Sequence, residues 1–263
     1  MMQGYETLTL SGLTAHVQPG LNHVLFQHGL CGSAAQPVEV FPTGHGFAHA
    51  VLDCRGHGSS PLGDPALISL ATLTDDLAAL ATHLRPVAVG GISMGAAMAL
   101  RLAVIRPDLV PALILSRPAW VTDPTPANNA PNRQVGAMIA AGQSLAAFDA
   151  TETARHLAVT APDNLASLRS FFSRQPLHET ATLLTRIAAD GPGVSEPDLR
   201  ALHIPTLILA SDEDFIHPLA HAETLARLIP GATLIRLPPK GRDKPAHVTA
   251  CQSAILTFLK GLP

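Results

Sequence analysis

A serine stands between two glycines in Gly91-Ile92-Ser93-Met94-Gly95, directly after an apolar run and directly before a segment of helical period. A serine at such a strand-to-helix turn takes a strained backbone conformation that exposes its Oγ, and small neighbours let the strand and the helix approach closely. The turn also places the hydroxyl at a helix N-terminus, where free N–H groups and the helix dipole stabilise developing negative charge. This pattern predicts that Ser93 is a nucleophile.

A second candidate segment, residues 28–32, follows a predicted strand and contains two glycines. Glycines allow a loop whose backbone N–H groups point into the cleft at the carboxyl edge of the sheet, where open α/β sheets bind ligands. We expect the N–H groups of Leu30 and Met94 to form an oxyanion hole. His28 is assigned to the substrate-binding region, where we expect it to brace this loop by hydrogen bonds rather than to transfer protons.

The elements that must position these groups follow from the hydrophobic pattern. Short apolar or β-branched runs alternate with segments of helical period, which is typical of a mostly parallel sheet flanked by helices on both faces. A hairpin is expected within residues 5–17. Strands are predicted at 23–27, 48–53, 87–91, 112–116, 206–210 and 233–237, and helices at 67–84, 94–105, 219–228 and 247–259.

Residues 121–202 interrupt this alternation, because they contain no convincing strand. A turn-rich stretch leads into this segment, and Gly191-Pro192-Gly193 ends it. We therefore expect an α/β core of residues 1–120 and 203–263 with a helical cap, or lid, inserted at 121–202. Helical pieces of the cap are predicted at 135–148, 151–157, 165–172 and 180–189.

Composition excludes several classes of protein. The chain of 263 residues is 47% hydrophobic, and 17 Lys plus Arg stand against 20 Asp plus Glu, whereas a disordered chain combines low hydrophobicity with high net charge. This balance supplies no basic surface for nucleic acid, and no apolar run reaches the roughly 18 residues that a membrane helix needs. We expect a cytoplasmic protein without a secretion signal in residues 1–10, since its three dispersed cysteines suit a reducing compartment.

A third segment, residues 53–60, reads DCRGHGSS and follows the strand predicted at 48–53. Together with the serine turn and the segment 28–32, it resembles the α/β-hydrolase superfamily, in particular the members that have a serine nucleophile and a helical cap. The resemblance covers essentially the whole chain. It implies an α/β-hydrolase fold, in which Asp53, Arg55 and His57 are structural residues near the site.

A serine hydroxyl carries almost no alkoxide at neutral pH, so it needs a general base, and the base needs an orienting acid. In this family the acid follows a late strand, and a histidine near the end of the chain is the base. The family pattern of a small residue, an acid three positions later and a proline four positions beyond the acid aligns Ser211, Asp214 and Pro218. The resemblance implies Asp214 as the acid, with Asp212 as its competitor in the same loop.

Thirteen histidines are available, and only His247 lies after the last predicted strand and just before the final helix, where the family places its base. The resemblance therefore implies His247 as the base, although Pro245-Ala246-His247 replaces the usual Gly-His. Two alternatives stay open. His247 would only cap the last helix, or His217, beside the acid loop, would be the base.

Further candidates lie around the expected pocket. Arg117 ends a predicted strand at the carboxyl edge and is a candidate to hold a substrate carboxylate, with an ion pair at the surface as the alternative. Trp120 is assigned to substrate binding, and the cap aromatics Phe148, Phe171 and Phe172 are candidates either for the pocket wall or for the core of the cap. Because only 4% of the residues are aromatic, we expect a largely aliphatic lining.

These residues predict a hydrolase that cleaves a carboxylic ester, lactone or thioester through an acyl-enzyme intermediate. Ser93 attacks, His247 transfers the proton and Asp214 orients His247. No cofactor or metal is implied, since neither a dinucleotide glycine pattern nor a spaced His/Cys/Glu cluster occurs. The expected partner is a small-molecule acyl substrate, with neither nucleic acid nor membrane, and the chain is expected to be a monomer or a homodimer.

Three alternative functions remain open from the sequence. The same triad would serve an acyltransferase or a hydrolase of carbon–carbon bonds, because the choice of second substrate depends on the shape of the cap. A receptor that keeps the fold, binds a ligand and has no activity is the third alternative.

Overall fold

A sheet of eight strands forms the centre of the molecule. The computed structural model describes residues 3–263, so the first two residues of the predicted core and of the segment 1–10 lie outside the described part. The strands are β1 Glu6–Leu10, β2 Leu13–Val17, β3 His23–Gln27, β4 Ala48–Leu52, β5 Ala88–Ile92, β6 Leu113–Ser116, β7 Thr206–Ser211 and β8 Thr233–Leu237. Their order in the sheet is β1-β2-β4-β3-β5-β6-β7-β8. The β1–β2 and β2–β4 pairs are antiparallel, and the other neighbours pair in parallel.

Helices cover both faces of this sheet, so the predicted mostly parallel sheet flanked by helices is confirmed. They are α1 Ala35–Val40, α2 Leu70–Leu84, α3 Met94–Ile105, α4 Ala130–Ala140, α5 Leu145–Asp149, α6 Glu152–Thr160, α7 Pro162–Ser170, α8 Leu177–Ile187, α9 Glu196–Arg200, α10 Leu219–Leu228 and α11 Lys244–Lys260. The sequence did not predict α1 and α9, because six and five residues are too few to show a helical period. No helix in residues 3–263 is long and apolar enough to cross a membrane.

Two apolar cores lie on opposite faces of the sheet. Successive side chains of a strand point to opposite faces, and β6 shows this directly. Leu113 and Leu115 pack in the cluster that holds the buried residues of α2 and α3, whereas Ile114 packs in the cluster that holds those of α11. The parallel strands β3 to β7 are buried on both faces of the sheet, so they read in the sequence as the continuous apolar runs that predicted them. The edge strand β8 is only partly buried.

Capping residues set the helix boundaries that the periodicity misplaced. Helix α2 begins at Leu70, three residues later than predicted, because the side chain of Ser69 accepts a hydrogen bond from the Thr72 N–H. Helix α11 begins at Lys244, three residues earlier than predicted. Its cap is Asp243, whose side chain accepts a hydrogen bond from Ala246 N–H.

Residues 121–202, called the helical segment below, connect β6 to β7 and contain α4 to α9. A core of its own holds side chains from α4 to α8, including Val135, Phe148, Leu165 and Leu184. The helix predicted at 135–148 is split into α4 and α5. Gly142, with φ of 67°, lies between them in a left-handed conformation that ends the helix.

Candidate active site

The serine turn lies between β5 and α3. Ser93 has a φ of 55° and a ψ of −109°, a strained conformation for a residue other than glycine. A Cβ at Gly95 would lie 2.7 Å from the Cβ of Gln27, and a Cβ at Gly91 would lie 2.9 Å from the same atom. Only glycine at these two positions allows α3 to cross β3 so closely. The backbone N–H of Ser93 donates to the carbonyl oxygen of Ser116 (3.0 Å), which ties the turn to β6.

A cavity of about 90 Å³ lies beside Ser93 at the carboxyl edge of the sheet. Five parallel strands each contribute to its wall through the segment that follows or ends the strand. These residues are Leu30 after β3, Ser93 after β5, Arg117 after β6, His217 after β7 and Lys240 after β8. The carboxyl edge therefore brings together groups that are far apart in the sequence.

The helical segment closes the other side of this cavity. Asn164, Ser167 and Leu168 of α7 and Asn132 of α4 line it, and Phe171 is the one member of the predicted aromatic set that does. Eight polar side chains and four aliphatic ones line the cavity, so its wall is mixed and not largely aliphatic as expected.

Asp214, in the loop after β7, is held by four hydrogen-bond donors. Its Oδ1 accepts from the Nδ1 of His217 (2.8 Å), the backbone N–H of His217 (3.1 Å) and the Nδ2 of Asn164 (2.9 Å), and its Oδ2 accepts from the Nε of Arg117 (2.7 Å). Burial by itself would raise the pKa of Asp214, but the charges and hydrogen bonds of His217 and Arg117 outweigh burial and hold this pKa well below its usual range. Asp212, the competing acid, is exposed and bonds to no histidine in the described part of the chain.

His217 connects this carboxylate to the cavity. Its Nδ1–H donates to Asp214, which leaves Nε2 as the nitrogen available in the cavity that His217 shares with Ser93. Burial lowers the pKa of His217, the Asp214 carboxylate acts in the opposite direction, and the charge of Arg117 again lowers it. A neutral imidazole that donates through Nδ1 is the form in which Nε2 accepts a proton.

His247, the predicted base, occupies a different position. Its Nδ1–H donates to the carbonyl oxygen of Pro238 (2.8 Å), and burial lowers its pKa. It lines a small adjoining cavity of about 40 Å³, which shares Gln36, Ile92, Arg117 and Lys240 with the cavity of Ser93 but does not include Ser93 itself. Among residues 3–263 the expected hydrogen bond between His247 and Asp214 is not formed, since Asp214 is bonded to His217 instead.

The early start of α11 explains this departure. His247 lies inside the helix, where the backbone fixes the direction of its side chain. Lys240, in the loop before the helix, reaches the cavity of Ser93 instead. His247 is not the cap of α11 either, because Asp243 has that role.

The predicted oxyanion donors lie on the two sides of the serine turn. Leu30 lines the cavity, and Met94 is the first residue of α3. In the part of the chain that the structure describes, neither backbone N–H donates to a protein acceptor. The adjacent N–H of Cys31 donates to the Nε2 of His57 (2.9 Å), which holds the loop in place.

His28 makes the bracing contacts expected of it. It is fully buried, its Nδ1–H donates to the carbonyl oxygen of Gly29 (2.9 Å), and its Nε2 accepts from the backbone N–H of Cys54 (3.1 Å). Burial lowers its pKa, so the neutral form that makes both bonds is favoured. His28 is not among the residues that line the cavity.

The other two predicted binding residues differ in their positions. Arg117 lines the cavity, but its guanidinium is already paired with Asp214 through Nε and with Asp163 through Nη2 (3.5 Å). Trp120 is 2% exposed, is absent from the cavity wall in the described chain, and donates its indole N–H to the carbonyl oxygen of Asp190 (2.7 Å). Trp120 therefore ties the residue before the helical segment to the turn between α8 and α9.

Sequence reasoning missed five polar or charged residues that line the cavity: Gln36, Asn132, Asn164, Ser167 and Lys240. Lys240 pairs with Asp163 (3.1 Å), and Asn164 binds the acid loop. The sequence did carry a signal for Lys240, because it follows the last parallel strand closely. Asp214 was located in the same way, from its position after a late strand. No sequence signal marked Asp163 or Asn164, because their contacts span tens of residues. No group of three or more His, Cys, Asp or Glu side chains within residues 3–263 is placed to hold a metal ion.

Comparisons with known proteins give the family and the fold. A family model described as alpha/beta hydrolase fold matches residues 22–243. The chain is 28% identical over 258 residues to the sn-1-specific diacylglycerol lipase ABHD11 of Mus musculus, which covers 90% of this chain and 80% of that protein.

Two solved structures show the same fold over almost the whole chain. A thermophilic esterase from Thermogutta terrifontis superposes with a TM-score of 0.72 at 23% identity and covers 98% of each chain. The enol-lactonase from Burkholderia xenovorans LB400 superposes with a TM-score of 0.66 at 20% identity and covers 97% of this chain and 100% of the other.

Proposed function

This chain belongs to the α/β-hydrolase family, and we propose that it is a serine hydrolase that cleaves a carboxylic ester, lactone or thioester through an acyl-enzyme intermediate. The observation that carries the proposal is that Ser93 and His217 line one cavity while His217 is bonded to the buried carboxylate of Asp214. These are a nucleophile, a base and an orienting acid, the three groups that acyl transfer from a serine requires.

In the first half of the reaction, His217 Nε2 takes the proton of Ser93 Oγ as this oxygen attacks the carbonyl carbon of the substrate. The negative charge that develops on the carbonyl oxygen is stabilised by the N–H groups of Leu30 and Met94 and by the N-terminus of α3. When the tetrahedral intermediate collapses, the proton on His217 passes to the leaving alcohol or thiol. Ser93 then carries the acyl group as an ester.

In the second half, water replaces the leaving group. His217 takes a proton from the water as its oxygen attacks the acyl carbon, and the same N–H groups stabilise the second tetrahedral intermediate. Its collapse breaks the bond to Ser93, whose Oγ takes back the proton. Asp214 remains ionised throughout and stabilises the imidazolium that forms in each half.

The geometry supports His217 rather than His247 as the base in this proposal. An imidazole must reach the serine hydroxyl directly or through one water, and His247 lines a cavity that excludes Ser93. Its Nδ1 is bonded to a main-chain carbonyl oxygen and not to a carboxylate. We keep Asp214 as the acid and replace His247 by His217 as the base.

The cavity also supports a preference for the size of the acyl group. About 90 Å³ accommodates only a short group, whereas ligand pockets commonly hold roughly 300 to 1,000 Å³. A polar groove of about 510 Å³ adjoins it and shares Leu30, Gln36, Ser167 and Phe171 with its wall. We propose a short acyl group in the cavity and a polar leaving group in the groove.

We also propose that the helical segment, residues 121–202, is a cap on a core formed by residues 1–120 and 203–263. Asn132, Asn164 and Ser167 of this segment line the cavity, so the cap would help to select the substrate. We further propose that the protein acts on a small molecule in the cytoplasm. Acyl transfer to an alcohol uses the same intermediate, and incubation of an activated ester with alcohols would reveal it as transesterification.

The decisive experiment is intact-mass analysis after exposure to a fluorophosphonate. Wild type, Ser93→Ala, His217→Gln and His247→Gln are compared. We expect a single adduct on wild type and on His247→Gln, no adduct on Ser93→Ala and strongly slowed labelling of His217→Gln. Absence of an adduct on folded wild type would refute the acyl-enzyme proposal in favour of a ligand receptor, and loss of labelling in His247→Gln alone would return the role of base to His247.

A further inference from the structure

Helix α7 of the helical segment holds the loop that carries Asp214. Asn164, in the first turn of α7, is 3% exposed. Its Oδ1 accepts hydrogen bonds from the backbone N–H groups of Phe215 (2.7 Å) and Ile216 (3.1 Å), and its Nδ2 donates to the Oδ1 of Asp214 (2.9 Å). One amide side chain thus binds three consecutive residues of the acid loop.

One of these bonds acts directly on the Asp214 carboxylate, and the other two hold the loop that carries it. The Oδ1 atom that accepts from Asn164 is also the atom that accepts the Nδ1–H of His217. Rotation of a carboxylate about its Cβ–Cγ bond is restricted when its oxygens accept hydrogen bonds from donors in fixed positions. Here Asn164 and His217 hold Oδ1, and Arg117 holds Oδ2.

The residue before Asn164 secures the same helix turn to the rest of the core. Asp163 pairs with Lys240 (3.1 Å) after β8 and with Arg117 (3.5 Å) after β6. It makes no hydrogen bond to Asp214 or His217 in the described residues. Asp163 therefore anchors α7, whereas Asn164 contacts the acid itself.

We propose that Asn164 is a positioning residue for the reaction of Ser93: it holds the Asp214 carboxylate so that Oδ1 receives the Nδ1–H of His217. This inference rests on the proposed function, in which the Asp214–His217 pair is the general base. It also makes the base dependent on the helical segment, because a shift of α7 away from the core removes all three bonds of Asn164 at once.

The first test follows the titration of His217 by NMR of protein with ¹⁵N-labelled histidine, with its signals assigned by their loss in His217→Gln. The charged or titratable groups around His217 are Asp214, Arg117, Lys240 and His221, with Asp163 behind Lys240. Asn164→Asp keeps the two acceptor contacts to the backbone N–H groups but replaces the donor to Asp214 by a second carboxylate.

We expect Asn164→Asp to raise the pKa of His217 by about one pH unit or more, since a nearby negative charge stabilises the imidazolium. Protonated His217 cannot act as a base, so the acid limb of kcat/KM would move to higher pH by the same amount. The matched control is Asn132→Asp, which adds the same charge to the wall of the same cavity. The side chain of Asn132 bonds to Asn129 and, within residues 3–263, not to the acid loop. A shift in the control that equals the shift in Asn164→Asp would overturn the inference.

The second variant, Asn164→Leu, removes the three bonds without adding charge. We expect kcat to fall at least about tenfold with KM changed less than threefold, and the Nδ1–H signal of His217 to broaden through exchange with water. An unchanged kcat and an unchanged signal in a variant that unfolds at the wild-type temperature would overturn the inference. If the fluorophosphonate does not label Ser93 of wild type, the proposed function fails, and the His217 titration still decides whether Asn164 holds the acid.

Discussion

The loops after β7 and β8 follow neighbouring strands at the same edge of the sheet, but they bring different side chains to the cavity. The first presents His217, whose Nδ1–H is bonded to Asp214. The second presents Lys240, which is paired with Asp163 of the helical segment. A histidine and a lysine therefore line the cavity of Ser93 from adjacent loops.

The point at which the next helix begins accounts for the difference. Helix α10 begins at Leu219, after His217, so the histidine belongs to the loop and reaches the cavity. Helix α11 begins at Lys244, before His247, so that histidine is fixed by the helix and lies in another cavity. At this edge of the sheet, a side chain in the loop reaches the site and a side chain one turn into the helix does not.

The largest expected effect separates the two histidines. His217→Gln should lower kcat/KM by about 10⁴-fold, because it removes the proposed general base, whereas His247→Gln should change kcat/KM by less than about threefold. Hydrolysis of an activated short-chain ester measures both, with circular dichroism as the check on folding. Equal losses of kcat/KM in the two variants would contradict the assignment of His217, and not His247, as the base.

The two aspartates of the loop after β7 are compared in the second test. Asp214→Asn should lower kcat/KM by about 10²- to 10³-fold, because an amide no longer stabilises the imidazolium of His217. Asp212→Asn is the matched control, and we expect its kcat/KM to stay within about twofold of wild type, since Asp212 is exposed. A larger loss of kcat/KM in Asp212→Asn than in Asp214→Asn would show that Asp212 is the acid.

Most of the fold was predictable because the parallel strands β3 to β7 are buried on both faces and read as apolar runs, and the edge strand β8 still shows a short apolar pattern. Strands β3 and β8 were predicted to the residue, and the serine turn followed from the glycines that flank Ser93. The resemblance to α/β-hydrolases is confirmed by the family match over residues 22–243.

The site was only partly predictable, for reasons that particular residues show. The choice between His217 and His247 depended on where α11 begins, and periodicity does not locate a cap such as Asp243. Asn164 reaches the acid loop over a separation of 50 residues, which no local pattern encodes. The sequence predicted which residues lie at the carboxyl edge of the sheet, but it did not predict which of their side chains contact one another.

The cap of α11 provides a third test, because it sets the boundary that separates His247 from the loop. Asp243→Ala removes the acceptor of the Ala246 N–H and should lower the free energy of unfolding by about 1 kcal/mol. Asp243→Asn keeps an acceptor at this position and should lose about half of that or less. Urea unfolding followed by circular dichroism measures both, and an Asp243→Ala variant as stable as wild type would show that other contacts set the start of α11.

The smallest expected effect concerns the cation of the β8 loop. The positive charge of Lys240 lowers the pKa of His217, so Lys240→Met should raise this pKa. Because His217 must be neutral to accept a proton, kcat/KM should then begin to fall at a higher pH on the acid side, by less than about one pH unit, since Lys240 is partly exposed and its charge is screened.

Lys244→Met is the matched control for this last effect. Lys244 follows the same loop, but it pairs with Glu39 and does not line the cavity of Ser93. Its loss should leave the acid limb of the pH profile unchanged, although both variants remove one positive charge from the protein. A shift of equal size in both would mean that His217 responds to net charge alone, and that the two loops do not meet at the cavity in the way their contacts indicate.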